Sequence, residues 1–383
     1  MKKTLSILVL ILLIAVGGYY FYQTQRKSTE NTAKKAEKEV IKIGAILPLT
    51  GPAGSLGVYY KNGLKIKIDE INSNGGINGK KVKLLIKDSK TSAKEGVFAI
   101  NNLLSLDKPL FVFSHLSSIT LAINPILKKK NIPVIAVSAS AKLLNYNLAI
   151  RNYITPERLA KFSFENFHNK LKLNNFSLIY VGDDFGTSVA KYFKEECDKS
   201  NVKITYEDKF NLRNTDYKNL VLKIIASKPE AVYITGYGKP LALLIKQLKD
   251  LKYKGTICTG IEVTQPEILD FLGDYSNGIY FPNLLFDNLN NNENNKKFNL
   301  EYEKRFNKKS FSASALAYDG VGIMLDLYRD AGYNKNEFLS KLNTSKTIEN
   351  ALNGDIKLVN REIVYTFTLN TIKNNKIIAV NGN

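Results

Sequence analysis

Short apolar runs recur along this chain, each followed by a cluster of small or hydroxylated residues and then by a segment of helical period. Val40–Leu47 (VIKIGAIL) alternates and then turns fully apolar, Pro48 ends it, and Thr50–Ser55 (TGPAGS) is a small-residue loop. Residues 57–72 then repeat apolar side chains at helical spacing. A short apolar run of this kind suits a strand covered on both faces, as in a parallel sheet. Strand, loop and helix together make half of a βαβ unit. The unit returns after the turn cluster Asn74–Gly79, with a strand at 80–87 and a helix from about 92 to 105. Phe111–Phe113 leads into Ser114-His115-Leu116-Ser117-Ser118, residues 119–130 are helical, and Ile132–Val137 exits through Ser138-Ala139-Ser140.

A second series starts near residue 156. A helix at 156–171 precedes strand 176–181, whose exit is Gly182-Asp183-Asp184-Phe185-Gly186. Helix 187–200, strand 201–206 and helix 215–227 follow, then strand 230–235 with Gly236-Tyr237-Gly238 at its end. Helix 239–252 leads to strand 255–258, which exits through Gly260-Ile261-Glu262. Residues 278–286 read as a strand leaving this unit, 287–297 as a polar surface loop, and 298–306 and 312–331 as helices that return to the first core. The last 30 or so residues alternate around Val359–Phe367 and end in Lys376–Val380. Of the 383 residues, about 345 follow the first 39, more than one core usually takes. The fold class is therefore α/β in two lobes. In open sheets of this class, ligands bind beyond the carboxyl ends of the strands. The loops 50–57, 114–120 and 138–142 are the candidate exits in the first lobe.

Thr4–Tyr22 carries no charge and is long enough to cross a bilayer as a helix, with Tyr19, Tyr20 and Tyr22 suited to an interface. Its bulky end favours a retained anchor over a cleaved signal, although Gly17 and Gly18 leave cleavage open. No cysteine follows it, which excludes a lipoprotein signal. Residues 23–39 read as a polar tether. Lysines and arginines flank both sides of the apolar run, so charge does not fix its orientation.

The formal charge of +20 favours anionic partners or an anionic membrane surface. The lysines are scattered, and no zinc-finger spacing, RNP-like aromatic pair or basic heptad region accompanies them, so nucleic acid is not an expected partner. The loop at 50–55 is neither GxGxxG nor followed by GK[ST], which weakens a nucleotide reading and leaves a plain turn or a ligand-facing loop. Cys197 and Cys258 lie on unlike elements, and His115 and His168 are far apart, so neither a disulfide nor a metal site is expected, and no cofactor is implied. His115 beside Ser117 and Ser118 is the one arrangement tempting for catalysis. Sequence proximity does not make a nucleophile–base pair, and the chain reads as a non-enzyme.

Seven segments together resemble the type I periplasmic binding proteins of the Leu/Ile/Val-binding family, the solute receptors of branched-chain amino acid ABC importers. They are IKIGAILPLTGPAGSLG (41–57), DEINSNGGINGKKVKLLIKDSK (69–90), SHLSSITLAINPIL (114–127), IPVIAVSASA (132–141), YVGDDFG (180–186), AVYITGYG (231–238) and AYDGV (317–321). The resemblance covers nearly all of 41–383 in the family order. It implies two lobes joined by three crossovers, near 151–156, 278–286 and 340–350. Lobe one would comprise 41–153 with 284–345, and lobe two 154–283 with 346–383. It also implies a small polar solute, an amino acid or a related amide or carboxylate, held in the cleft for an ABC permease. A cell-envelope location follows, at the outer face of the cytoplasmic membrane or in the periplasm, with membrane contact through residues 4–22. The same scaffold could instead serve a tethered sensing module.

Carried over position by position, Ser117 and Ser118 match the loop that meets the ligand carboxylate, and Ala139 and Ser140 match the next loop. Tyr237 and Glu262 match the tyrosine and the acid that hold the ammonium, and Phe185 matches an aromatic beside the ligand. Lys142 stands where the family's best-known member has threonine, and Leu56 where it has tyrosine. A lysine in the cleft would favour a second carboxylate or another anion.

Overall fold

The computed structural model describes residues 17–26, 40–140, 142–286 and 293–380. Most of the candidate anchor (residues 4–16), most of the tether (27–39) and most of the polar loop (287–292) lie outside them. Residues 17–26 form a helix on which Tyr19, Tyr20, Phe21 and Tyr22 are exposed. Among the described residues no helix is long and apolar enough to cross a membrane.

Two sheets organise the remainder. In the first lobe β1 (Ile41–Leu47), β2 (Val82–Asp88), β3 (Val112–His115), β4 (Val134–Val137) and β5 (Ala149–Arg151) are parallel, in the order β5-β4-β3-β1-β2. In the second, β6 (Asn175–Val181), β7 (Lys203–Phe210), β8 (Ala231–Thr235), β9 (Thr256–Thr259) and β10 (Ile279–Leu284) form β10-β9-β8-β6-β7. Every residue of β3, β4 and β8 is buried, as expected for central parallel strands flanked by helices on both faces. Both sheets reverse their winding at one place, between β1 and β3 and between β6 and β8. At such a switch the loops leaving neighbouring strands diverge and open a crevice.

Helix Gly54–Ser73 packs along helix Ser312–Asp330, returning the late helices to the first lobe. They approach tightly at Gly63, where a Cβ would lie 2.0 Å from the Ser314 carbonyl oxygen. Tyr59 stacks on Tyr302 and meets Phe311 edge-on, with ring centroids 6.0 and 4.6 Å apart. Helix Pro156–Phe164, capped by the Thr155 hydroxyl, packs on helix Asp184–Lys199 in the second lobe.

The C-terminal segment departs from the expected division. The resemblance implies that residues 346–383 belong to lobe two, but the described part of this segment is shared between the lobes. β11 (Lys346–Ala351), β12 (Gly354–Val359) and β13 (Glu362–Val364) extend the first sheet, with β13 pairing β5. β14 (Phe367–Lys373) and β15 (Lys376–Ala379) extend the second. The third crossover therefore passes at residues 365–366 and not near 340–350. The alternating stretch Val359–Phe367 contains a two-residue hairpin turn at Asn360-Arg361, with φ of 50° and 66°. Such a turn needs positive φ at both central residues, and its usual signature is Asn-Gly. Arginine in the second place hides the turn. Here the Arg361 guanidinium donates to the Leu144 and Tyr146 carbonyls at 3.3 and 2.9 Å, which anchors the unusual backbone.

Candidate functional site

The two crevices face one another and enclose a narrow cavity, with about 40 Å³ open to the centres of water molecules. Leu56, Tyr60 and the exits of β3 and β4 line its lobe-one side, together with Phe311, Ser312, Ala313 and Leu316. Phe185, Tyr237, Ile261 and Glu262 line the lobe-two side, and Tyr153 enters from the first crossover.

The exits of β3 and β4 form one polar rim. Leu116 leaves β3 with φ of 74°, a conformation that a non-glycine residue holds only when its surroundings enforce it. Helix Ser117–Lys130 begins at the next residue, so its first amides lack intrahelical acceptors and favour an anion. The Ser138 hydroxyl donates to Ser117 Oγ at 3.1 Å and accepts from the Ser140 amide at 3.3 Å. The Ser117 hydroxyl proton is therefore left to donate elsewhere. Behind the loop, Arg151 Nη1 donates to the Ser138 and Ser140 carbonyls at 2.8 and 3.0 Å, and Nε pairs with Glu362 at 3.0 Å.

On the opposite wall Glu262 is half-buried, with its Oε2 shielded from solvent. Its Oε1 accepts from the Tyr153 hydroxyl at 3.0 Å, and its Oε2 has no partner. Burial raises its carboxyl to about pH 7, against the smaller opposing effects of its own amide and the Tyr153 bond. No cationic side chain contributes to that balance. Tyr237 donates to Asp183 Oδ2 at 2.7 Å, while Asp183 caps helix Asp184–Lys199 by accepting from the Gly186 amide at 3.0 Å. Tyr237 therefore offers the cavity its ring, 6.2 Å from that of Phe185, with its hydroxyl proton already engaged.

Of the candidate residues, Ser117, Ala139, Phe185, Tyr237 and Glu262 converge on the cavity, and Ser118, Ser140 and Lys142 do not line it. Ser118 is half-buried and turned away, because consecutive helical residues do not share a face. Ser140 is buried behind the loop, where its Oγ accepts from the Lys142 amide at 3.3 Å. Lys142 is exposed at the start of the turn Leu143–Asn145, so the supposed cationic addition to the cleft is corrected.

Tyr60, Ser138, Tyr153 and the start of helix Ser312–Asp330 were not singled out from sequence. Ser138 was within reach, since its loop had been recognised as a strand exit. His115 also lines the cavity, its ring tilted 39° against that of Tyr60 with centroids 4.2 Å apart, and burial lowers its imidazole to about pH 3. Its Nδ1 lies 3.4 Å from the Val137 carbonyl and must donate, because a carbonyl only accepts. His115 Nε2 has no hydrogen-bond partner, so the tempting His–Ser juxtaposition does not form a nucleophile–base pair. Cys197 and Cys258 are buried free thiols. Among the described residues no cluster of His, Cys, Asp and Glu could hold a metal ion.

The lobes touch around the cavity. Tyr59 donates to Glu267 at 3.0 Å, Lys308 pairs with Glu267 at 3.0 Å, and Gln265 donates to Ser55 at 2.8 Å. Gly238 meets the first loop so closely that a Cβ would lie 2.4 Å from the Pro52 carbonyl oxygen. These contacts define a two-lobed receptor closed over a small cleft. The chain belongs to the periplasmic binding protein family, whose model matches residues 40–370. It is an extracytoplasmic solute-binding protein of the ABC-importer superfamily, and that family binds solutes without transforming them.

Leu/Ile/Val-binding protein BraC3 of Rhizobium johnstonii is 28% identical over 250 residues, covering 63% of this chain and 67% of the relative. Leu/Ile/Val-binding protein homolog 1 of Brucella abortus is 24% identical over 325 residues, covering 82% and 85%. The branched-chain amino acid transporter substrate-binding protein LivJ of Streptococcus pneumoniae, solved with isoleucine, has a TM-score of 0.81 at 23% identity, covering 89% of this chain and 98% of that one.

Proposed function

We propose that this protein captures an α-amino acid with an apolar side chain and presents it to an ABC permease at the outer face of the cytoplasmic membrane. The carrying observation is Glu262, a carboxylate on the cavity wall whose Oε2 is shielded from solvent and unpartnered, with no cation beside it. A buried charge is costly unless paired, and a solute ammonium would supply the pair. Across the cavity, the Ser117 hydroxyl and the first amides of its helix suit a carboxylate. Leu56, Leu116, Val137, Phe185, Ile261 and Leu316 leave an apolar space for the side chain. The Leu/Ile/Val-binding names of the relatives accord with this reading.

The test is calorimetry with L-leucine, L-isoleucine, L-valine and L-phenylalanine, set beside 4-methylpentanoate and 3-methylbutylamine. At least one amino acid should bind in the micromolar range or tighter. The two leucine fragments should bind about 100-fold more weakly than leucine, because each leaves one charged side of the cleft unanswered. Binding of 4-methylpentanoate as tight as that of leucine would overturn the ammonium reading.

A further inference from the structure

The residue that holds Glu262 in place comes from the hinge between the lobes. Tyr153 sits in the first crossover, between β5 and helix Pro156–Phe164, and is buried. Its neighbours pin it from both ends. The Asn152 side chain donates to the Leu316 carbonyl at 2.8 Å in lobe one and accepts from Tyr365 in the third crossover. Thr155 caps the first helix of lobe two by accepting from the Arg158 amide at 3.2 Å. Two of the three interlobe strands are thus tied together, and the ring between these anchors reaches the lobe-two carboxylate.

We propose that Tyr153 is the positioning residue for solute capture: it fixes Glu262 Oε1 from the hinge, reserves Oε2 for the solute ammonium, and so links occupancy of the cleft to the crossover that bends. The proposal rests on the reading of Glu262 as the ammonium acceptor. Its geometry is specific. A phenol is a single donor, a carboxylate has two oxygens, and the hydrogen bond between them is 3.0 Å. Tyr153 stays protonated, since burial and the neighbouring Glu262 hold its phenol well above the ordinary range. The other groups that feel the Glu262 charge are the phenols of Tyr60 on helix Gly54–Ser73, Tyr233 on β8 and Tyr237 at the β8 exit. His115 across the cavity is neutral, and Asp183 is engaged by Tyr237. Tyr153 is the one of these for which a hydrogen bond to Glu262 is formed.

The experiment titrates the wild type, Tyr153→Phe, Glu262→Gln and the double variant with whichever of the four amino acids above binds the wild type most tightly, from pH 5 to 8. Tyr153→Phe keeps the ring and loses the donor. It should weaken binding about tenfold at neutral pH. It should also move the midpoint of the affinity–pH curve upward, because the carboxylate form of Glu262 loses a donor. In the Glu262→Gln background the same change should add little. If Glu262→Gln binds like the wild type, the ammonium reading itself fails. If Glu262→Gln loses binding but Tyr153→Phe leaves the pH midpoint unmoved, Tyr153 is only packing and the proposal is overturned. Thermal unfolding of unliganded Tyr153→Phe, expected within a few degrees of wild type, separates a folding defect from a binding one.

Discussion

A glutamate held near neutrality inside a cleft makes two opposite demands on pH. The Glu262 carboxyl stands at about 7 in the folded chain against an ordinary 4.5. Its raised value means that the folded state holds a proton which the unfolded chain releases between those limits. This contribution to stability is therefore full below about pH 4.5 and is lost as pH rises through about 7. Asp319, raised by burial to about 6, works in the same sense. On the proposed reading solute binding runs the other way, because an ammonium prefers the ionised carboxylate. Unliganded thermal stability should fall from pH 5 to 7.5, while the upward shift in melting temperature given by a bound amino acid should grow. Glu262→Gln should flatten much of the first slope and abolish the growth in the second, as differential scanning fluorimetry would measure. Ser117, Ala139, Phe185, Tyr237 and Glu262 were legible because each follows a strand, where the chain must turn toward the cleft. Tyr60 and Tyr153 were not legible. One is the second of two adjacent tyrosines on a helix and the other lies in a crossover, and only tertiary packing brings either to the cavity.

At the level of elements, the alternation of apolar runs with small-residue exits is enough to mark the parallel sheets. Extent was harder to read than existence. The strand expected at 201–206 runs from Lys203 to Phe210, and most of its residues are only half-buried because it is an edge. The hairpin at Asn360-Arg361 was missed because a basic residue replaces the glycine that marks such turns. The pairing of helix Gly54–Ser73 with helix Ser312–Asp330 depends on a long-range fit that no local pattern displays. Gly63 makes that fit possible. Gly63→Ala gains up to about 1 kcal/mol of helix propensity, but its methyl group would press on the Ser314 carbonyl. A net loss of about 1–3 kcal/mol is expected from overpacking, read as a lower midpoint in urea.

For the whole molecule, the contacts that close the lobes are few, and several are polar. Glu267 gathers Tyr59 and Lys308 from lobe one and Gln265 from its own lobe. Its half-exposed pair with Lys308 is worth little alone, whereas the bond from buried Tyr59 to a charged acceptor is worth more. Glu267→Ala should therefore speed amino-acid release about tenfold in stopped-flow measurements, while the unliganded melting temperature changes little. An unchanged release rate would place the closure energy in Gly238 and the apolar walls instead.

The serine rim of the cleft has a distant support. Arg151 grips the carbonyls of Ser138 and Ser140, and Arg151 is itself held by Glu362, more than 200 positions later in the chain. During synthesis the parallel strands of the first lobe are made long before β13, but the serine rim stays unbraced until β13 docks beside β5. The geometry of that rim thus depends on a hairpin made more than 200 positions after the strands it braces.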